Sequence, residues 1–185
     1  MIYKFRLVSD EVDNFKREIE IDADSTFIKL RDAIDKAVGY EPSQMCSFFI
    51  CDDGWEKGRE ITLEDMGLDS SEDMYLMDET VISDMVEDRG QRLIFVFDYL
   101  TDRSFFLELK ETRPGEYLDE AVCTAKRGTP PPQSVDLDEF EEKIDAKAAK
   151  AAAETDLDAD FYGSDSYNED EFEAEGFDEM DFDEH

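Results

Sequence analysis

The sequence predicts an α+β protein: a mixed sheet of about five strands packed on one main helix, with a β-grasp-like opening, followed by a C-terminal helix and a disordered acidic tail. Three observations carry this expectation. Two alternating stretches near the start are followed by one apolar stripe of helical period. Two long strand-like runs, RLIFVFDY and FFLELKE, lie close together at residues 92–99 and 105–111. The composition then changes abruptly after the proline run at 130–132. The expected divisions are a domain over 1–133, a helical extension over 134–155 and an acidic-aromatic tail over 156–185.

Residues 2–8, IYKFRLV, alternate, with Tyr3, Phe5 and Leu7 on one face and Lys4 and Arg6 opposite, the pattern of a half-buried strand. FKREIEID alternates again through Phe15, Arg17, Ile19 and Ile21, so the two strands read as a hairpin. A helix follows, with Asp24 or Ser25 available to cap it and Gly39 to end it. Its apolar stripe is Phe27, Leu30, Ile34, Ala37 and Val38, and Lys29, Arg31, Asp32 and Lys36 are expected in water. CSFFIC at 46–51 reads as a third strand and DDGWEKG as a turn. Thr62 and Asp65 resemble a capping pair for a short helical turn, MYLM at 74–77 a short strand, and Thr80 to Val86 a short helix. In RLIFVFDY, Leu93 to Phe97 are all apolar, which suits a strand covered on both sides. FFLELKE returns after the turn LTDRS. KRGTPPPQS at 126–134 is helix-breaking and either ends the folded body or supports a loop on its surface. Beyond it, Asp136 and Glu139 form a capping pair, and Leu137, Phe140, Ile144 and Ala148 recur at helical spacing among alanines, which predicts a helix over 137–153.

The chain has 185 residues and a net charge of −33, from 52 acidic and 19 basic residues. Residues 135–185 hold 21 acidic residues against three lysines, and residues 1–134 hold 31 against 16. Such a field repels phosphate backbones and anionic membrane surfaces and favours a basic protein partner. Three cysteines, Cys46, Cys51 and Cys123, form no disulfide framework, and the opening residues do not read as a signal peptide, so the expected location is the cytoplasm.

Little in the sequence has the pattern of a reaction. His185 is the only histidine, which leaves no histidine base or ligand set inside the expected domain. Cys46 and Cys51, five steps apart on one strand, fall on opposite faces. The glycines form neither a dinucleotide fingerprint nor a phosphate loop. DLDADFYGSDSY at 156–167 opens like a calcium loop, but Phe161 and Tyr167 stand where glycine and glutamate are required. No cofactor or metal is expected. Asp98, at the end of the FVFDY strand, is the first carboxylate to test for acid, base or cation chemistry, with Asp102 beyond the turn; capping its own turn is the competing role. Trp55, the only tryptophan, lies in a glycine-flanked turn and can plug the core edge or form a contact site.

In the tail, Tyr162, Tyr167, Phe172, Phe177 and Phe182 stand five residues apart, and residues 151–185 hold 15 acidic residues with no Lys or Arg. A five-residue interval builds no single helix face and alternates sides on a strand. It suits an extended chain whose like charges keep separated apolar groups from collapsing.

FVFDYLTDRSFFLEL at 95–109 and CTAKRGTPPP at 123–132 together resemble the plasmid open-reading-frame-three-like family, named from a root-inducing plasmid. Phe95, Phe97, Asp98 and Tyr99 match its aromatic–acid strand end, and Cys123, Pro131 and Pro132 match its later Cys and proline pair. Leu100 and Thr101 replace a Gly and an Asp of the family pattern, Arg103 and Phe105 a Trp and a His, and Gln133 and Ser134 a Glu and an Asp. The resemblance spans about residues 1–133 and implies the fold; the family has no assigned activity to carry over. The functional expectation is a non-enzymatic interaction module whose tail recruits a basic protein through Tyr162, Tyr167, Phe172, Phe177 and Phe182, with Trp55 as a second contact. The alternative is an enzyme of unknown chemistry with a carboxylate-lined cleft around Asp98.

Overall fold

The computed structural model describes residues 1–42, 45–65, 67, 74–135 and 145. The chain divides into two units, residues 1–135 and 136–185. The expected helix over 137–153 and the aromatic tail lie outside the described residues, Asp145 excepted, and no C-terminal helix stands among the described elements.

In the first unit the order is β1 (Ile2–Ser9), β2 (Lys16–Asp22), α1 (Phe27–Val38), β3 (Ser47–Cys51), β4 (Lys57–Thr62), β5 (Tyr75–Leu76), α2 (Ile82–Met85), β6 (Arg92–Asp98), β7 (Arg103–Arg113) and β8 (Val122–Arg127). These eight strands form one open sheet in the order β5-β4-β3-β6-β7-β1-β2-β8. β4 and β5 run parallel, and the other neighbours are antiparallel.

The sheet corrects two expectations. It has eight strands, not about five, because β4 and β8 give almost no period-2 signal. In β4 (KGREIT) only Ile61 is buried. β8 (VCTAKR) is an edge strand with no fully buried residue. Nor is the opening β-grasp-like. β1 takes β2 and β7 as antiparallel partners, and β3 lies beyond β6 and β7, because the β6–β7 hairpin inserts between β1 and β3. Thr62, the expected cap of a short helical turn at 63–67, instead ends β4.

Both helices pack on one face of the sheet. The stripe Phe27, Leu30, Ile34, Ala37 and Val38 is buried against Phe5, Leu7, Ile19, Phe48, Phe95, Phe105 and Leu107. Burying each such side chain contributes about 1.5–3 kcal/mol. Thr26, not Asp24 or Ser25, is the N-cap of α1, and its side chain makes no capping bond. The free amides at this end donate elsewhere: Phe27 N–H to the Thr80 carbonyl at 3.1 Å and Ile28 N–H to the Met77 carbonyl at 2.9 Å, which ties the α2 approach to the helix start. Gly39 ends α1 at φ 76°, and its N–H donates to the Asp35 carbonyl at 2.8 Å. Arg31 is buried, not solvated, and its Nε lies 3.2 Å from Asp35 Oδ2.

The second face carries a smaller cluster: Cys51, Ile94 and Val96 are buried, with Phe49, Trp55 and Phe106 packed against them. Cys46 belongs to the helix-side core and Cys51 to this second cluster, so the two cysteines do occupy opposite faces. Leu93 to Phe97 of β6 are all apolar because the strand serves both clusters: Leu93, Phe95 and Phe97 face the helices, and Ile94 and Val96 the other side.

Candidate functional site

Of the residues that carried the family resemblance, Phe97, Asp98, Pro131 and Pro132 lie at or beside one end of the sheet. There the β6–β7 turn, the loop after β1, the end of α1 and the proline segment after β8 meet. Asp98 is committed to its own turn: Oδ1 accepts the Leu100 N–H at 3.0 Å and Oδ2 the Thr101 hydroxyl at 2.7 Å. Asp102 is not joined to it. It sits at φ 49°, largely exposed, with Oδ1 3.3 Å from Lys57 Nζ. Among the described residues no group of three His, Cys, Asp or Glu is placed to hold a metal ion.

Arg103, which replaces the family's aromatic, is the centre of this end. It is only 6% exposed. Nε and Nη2 donate to the two oxygens of Glu11 at 2.8 and 2.9 Å, a bidentate pair. Nη2 also donates to the Pro132 carbonyl at 2.6 Å and Nη1 to the Gln133 carbonyl at 3.3 Å, and the guanidinium lies over the Phe97 ring at 5.1 Å. The Tyr40 hydroxyl donates to the Pro131 carbonyl at 2.5 Å, and burial raises its pKa. The Gln133 amide pairs with the Glu41 backbone in both directions, at 2.8 and 2.6 Å.

A second buried arginine holds the other end of the same segment. Arg17 donates to the carbonyls of Arg127 at 2.8 Å and of Gly128 at 3.2 and 3.1 Å. Gly128 is required here: φ is 71°, and a Cβ would stand 2.8 Å from the Asn14 carbonyl oxygen. Residues 128–133 thus form a strap fastened beside a cluster of rings, Phe15, Tyr40, Phe97 and Phe105. Cys123 is not part of it: half-buried on β8, it packs toward the helix-side core. Phe97, Asp98, Pro131 and Pro132 are brought together, but in a scaffold of internal hydrogen bonds.

The other place of interest is the sheet face without a helix. Trp55, at φ 65°, stands edge-on to Phe106 at 5.1 Å and beneath the Arg92 guanidinium at 5.1 Å. Lys57 Nζ lies over the Phe49 ring at 5.0 Å. Strand register aligns two rows across this face. One is Lys57, Cys51, Arg92, Glu108, Arg6 and Glu18; the next is Glu60, Phe49, Ile94, Phe106, Val8 and Lys16, ending at Arg127. Lys4, Glu20, Lys110, Glu111 and Arg113 complete its charged groups, with Lys4 3.5 Å from Glu18 and Arg113 ion-paired to Glu20. At its end Tyr99, Ser47 and Glu60 share hydrogen bonds: the Tyr99 hydroxyl contacts Ser47 Oγ and lies 2.8 Å from Glu60 Oε1, and burial pushes the phenol up to about 12.

Sequence reasoning nominated Trp55 here but missed its neighbours. Phe49, Phe106 and Arg92 are scattered along the chain, and only strand register unites them. The same is true of Arg103, whose role depends on carbonyls about thirty residues away. The aromatics Tyr162, Tyr167, Phe172, Phe177 and Phe182 lie outside the described residues.

An open, mostly antiparallel sheet with its helices on one face is an α+β scaffold. Within that class the chain belongs to the plasmid pRiA4b ORF-3-like protein family, whose model matches residues 2–179. The match runs well past residue 133, where the resemblance was expected to stop. The fold is similar to the crystal structure of a protein of unknown function, MM3350, from Methanosarcina mazei Go1, at 18% identity and a TM-score of 0.56, covering 78% of this chain and 79% of that one. No curated protein matches the sequence. No helix among the described residues is long and apolar enough to cross a membrane.

Proposed function

We propose that this chain is a non-enzymatic, cytoplasmic protein-interaction module. Its tail recruits a basic protein, docking Tyr162, Tyr167, Phe172, Phe177 or Phe182 in apolar notches while the surrounding carboxylates meet Lys and Arg. Long-range attraction from so acidic a segment speeds encounter, and the aromatics supply short-range specificity. One observation favours this over the enzyme reading: both oxygens of Asp98 accept hydrogen bonds from its own turn. The nearby arginine is likewise engaged, with Glu11 and the strap. A carboxylate held in this way stabilises its own turn. The half-buried patch around Trp55 further supports a contact role for the body.

The test is affinity capture with the full-length protein, a 1–155 truncation, and Phe172→Ala with Phe177→Ala, which leaves the charge unchanged. The expected outcome is a basic protein that binds the full chain, is lost with the truncation, and is weakened by the double alanine variant in a purified binding assay. Equal binding by the double variant would reduce the tail to a charged solubilising segment.

A further inference from the structure

The strands of the sheet face without a helix carry more basic than acidic side chains, unlike the rest of the molecule. Of the 16 basic residues in 1–134, eight lie on it, against five of the 31 acidic ones. The turn bearing Trp55 brings Asp52, Asp53 and Glu56 to its rim. Asp52 is turned inward, its Oδ1 accepting the amides of Gly54 and Glu56 at 2.8 and 2.9 Å, and the Asp53 carbonyl accepts Arg92. Across the middle of this basic face runs the apolar row Phe49, Ile94, Phe106 and Val8. Buried polar atoms without a hydrogen-bond partner gather here as well: Arg6 Nε, Arg92 Nε, Arg113 Nε and Thr62 Oγ1. Buried donors in native proteins are satisfied as a rule, so several on one face mark a place that donates hydrogen bonds to an acceptor from outside the chain.

We propose that this face docks an extended acidic peptide segment of a partner protein, one that carries aromatic side chains. The aromatics lie along the Phe49–Ile94–Phe106–Val8 row beside Trp55, and the carboxylates meet Arg92, Arg6 and Lys57. Arginine suits this role because its planar fork pairs with a carboxylate through two N–H groups at once. A second copy meeting the first through the same face is disfavoured, since the same rows of basic side chains would oppose each other. A nucleic acid also offers negative charge and stacking bases, but the net charge of −33 repels a phosphate backbone at long range. The inference concerns the body alone and a partner of opposite charge to the tail's, so it stands or falls separately from the tail reading.

Because Trp55 is the only tryptophan, its emission reports directly on this face. The full-length protein is titrated with a synthetic, tryptophan-free peptide of glutamates separating three phenylalanines. Parallel titrations use the same peptide with alanine for phenylalanine, and oligothymidylate of equal length. The expected result is a saturable change in Trp55 emission with the phenylalanine peptide, with affinity falling at least ~10-fold when phenylalanine is replaced. Binding of the labelled peptide, read by anisotropy, should weaken by ~10-fold in Lys57→Glu and by more in Arg92→Glu. Lys57 is exposed, so its variant remains informative if Arg92→Glu fails to fold. No saturable change, equal affinity for the alanine peptide, or tighter binding of oligothymidylate would each overturn the proposal.

Discussion

The two faces of the one sheet are made by the same strands and differ in almost every physical respect. On the helix-covered face Phe5, Phe27, Phe48, Phe95 and Phe105 are fully buried, and the phenylalanine rings of β3 and β6 stack at 4.6 Å. On the open face the apolar set is small, rimmed by charge, and half-buried at Phe49, Trp55 and Phe106. Strand alternation assigns residues to faces, but the helices decide what each face becomes. A face that α1 covers turns into core. A face left open keeps its arginines and becomes a surface able to bind.

The largest effect that sharpens this contrast is expected from paired truncations. Phe48→Ala removes a ring from the covered face and should cost ~3–5 kcal/mol in denaturant unfolding. Phe106→Ala, on the open face, should cost about a third of that, because much of its ring already meets water. Similar losses would mean that the open face is core as well. Next is Arg103→Ala, which strips Glu11 of its bidentate partner and leaves the strap carbonyls unpaired. A loss of about 3 kcal/mol is expected, with faster proteolysis at 128–133.

A pH effect is expected from the covered side. Asp35 is buried beside Arg31; burial outweighs the attraction of Arg31 and raises the carboxyl to about 6. Because the folded value lies above the unfolded one, this group's contribution is fully present below the ordinary carboxylate range. It is lost as the pH rises through about 6. Wild type should therefore lose stability relative to Asp35→Asn as the pH goes from about 4 to about 7, measured as the difference in Tm between the two. The smallest effect is expected at the exposed Lys57–Asp102 pair, where Asp102→Asn, which keeps a residue tolerant of φ 49°, should change stability by less than ~0.5 kcal/mol.

Much of the fold was legible in the sequence because its strongest periodic signals were also its most buried segments. β1, β2, α1, β3, β6 and β7 follow directly from Tyr3–Phe5–Leu7, Phe15–Ile19–Ile21, the Phe27–Val38 stripe and the two long apolar runs. β4 and β8 were hidden because they bury one side chain or none. Their strand state comes from neighbours that complete their hydrogen bonds, not from their own pattern. Arg31 shows the converse limit: on the helical wheel it belongs with the solvated residues, yet Asp35 one turn away holds it inside. At the strap, Asp98 and the prolines were visible as positions, but their purpose was not. It depends on Arg103 reaching Glu11, 92 residues away, and the Pro132 carbonyl. Trp55 was visible for the same reason of rarity, whereas the ring it meets, Phe106, reads in sequence as one more alternating residue.

Methyl resonances offer the most direct measurement, since Val8, Ile94 and Val96 report from the open face and Leu7, Leu93 and Leu107 from the covered one. During titration of full-length protein with the acidic phenylalanine peptide, the first three should shift in a saturable way while the others stay in place. Shifts confined to the covered-face leucines, or none at either, would contradict the division of labour between the two sides of this sheet.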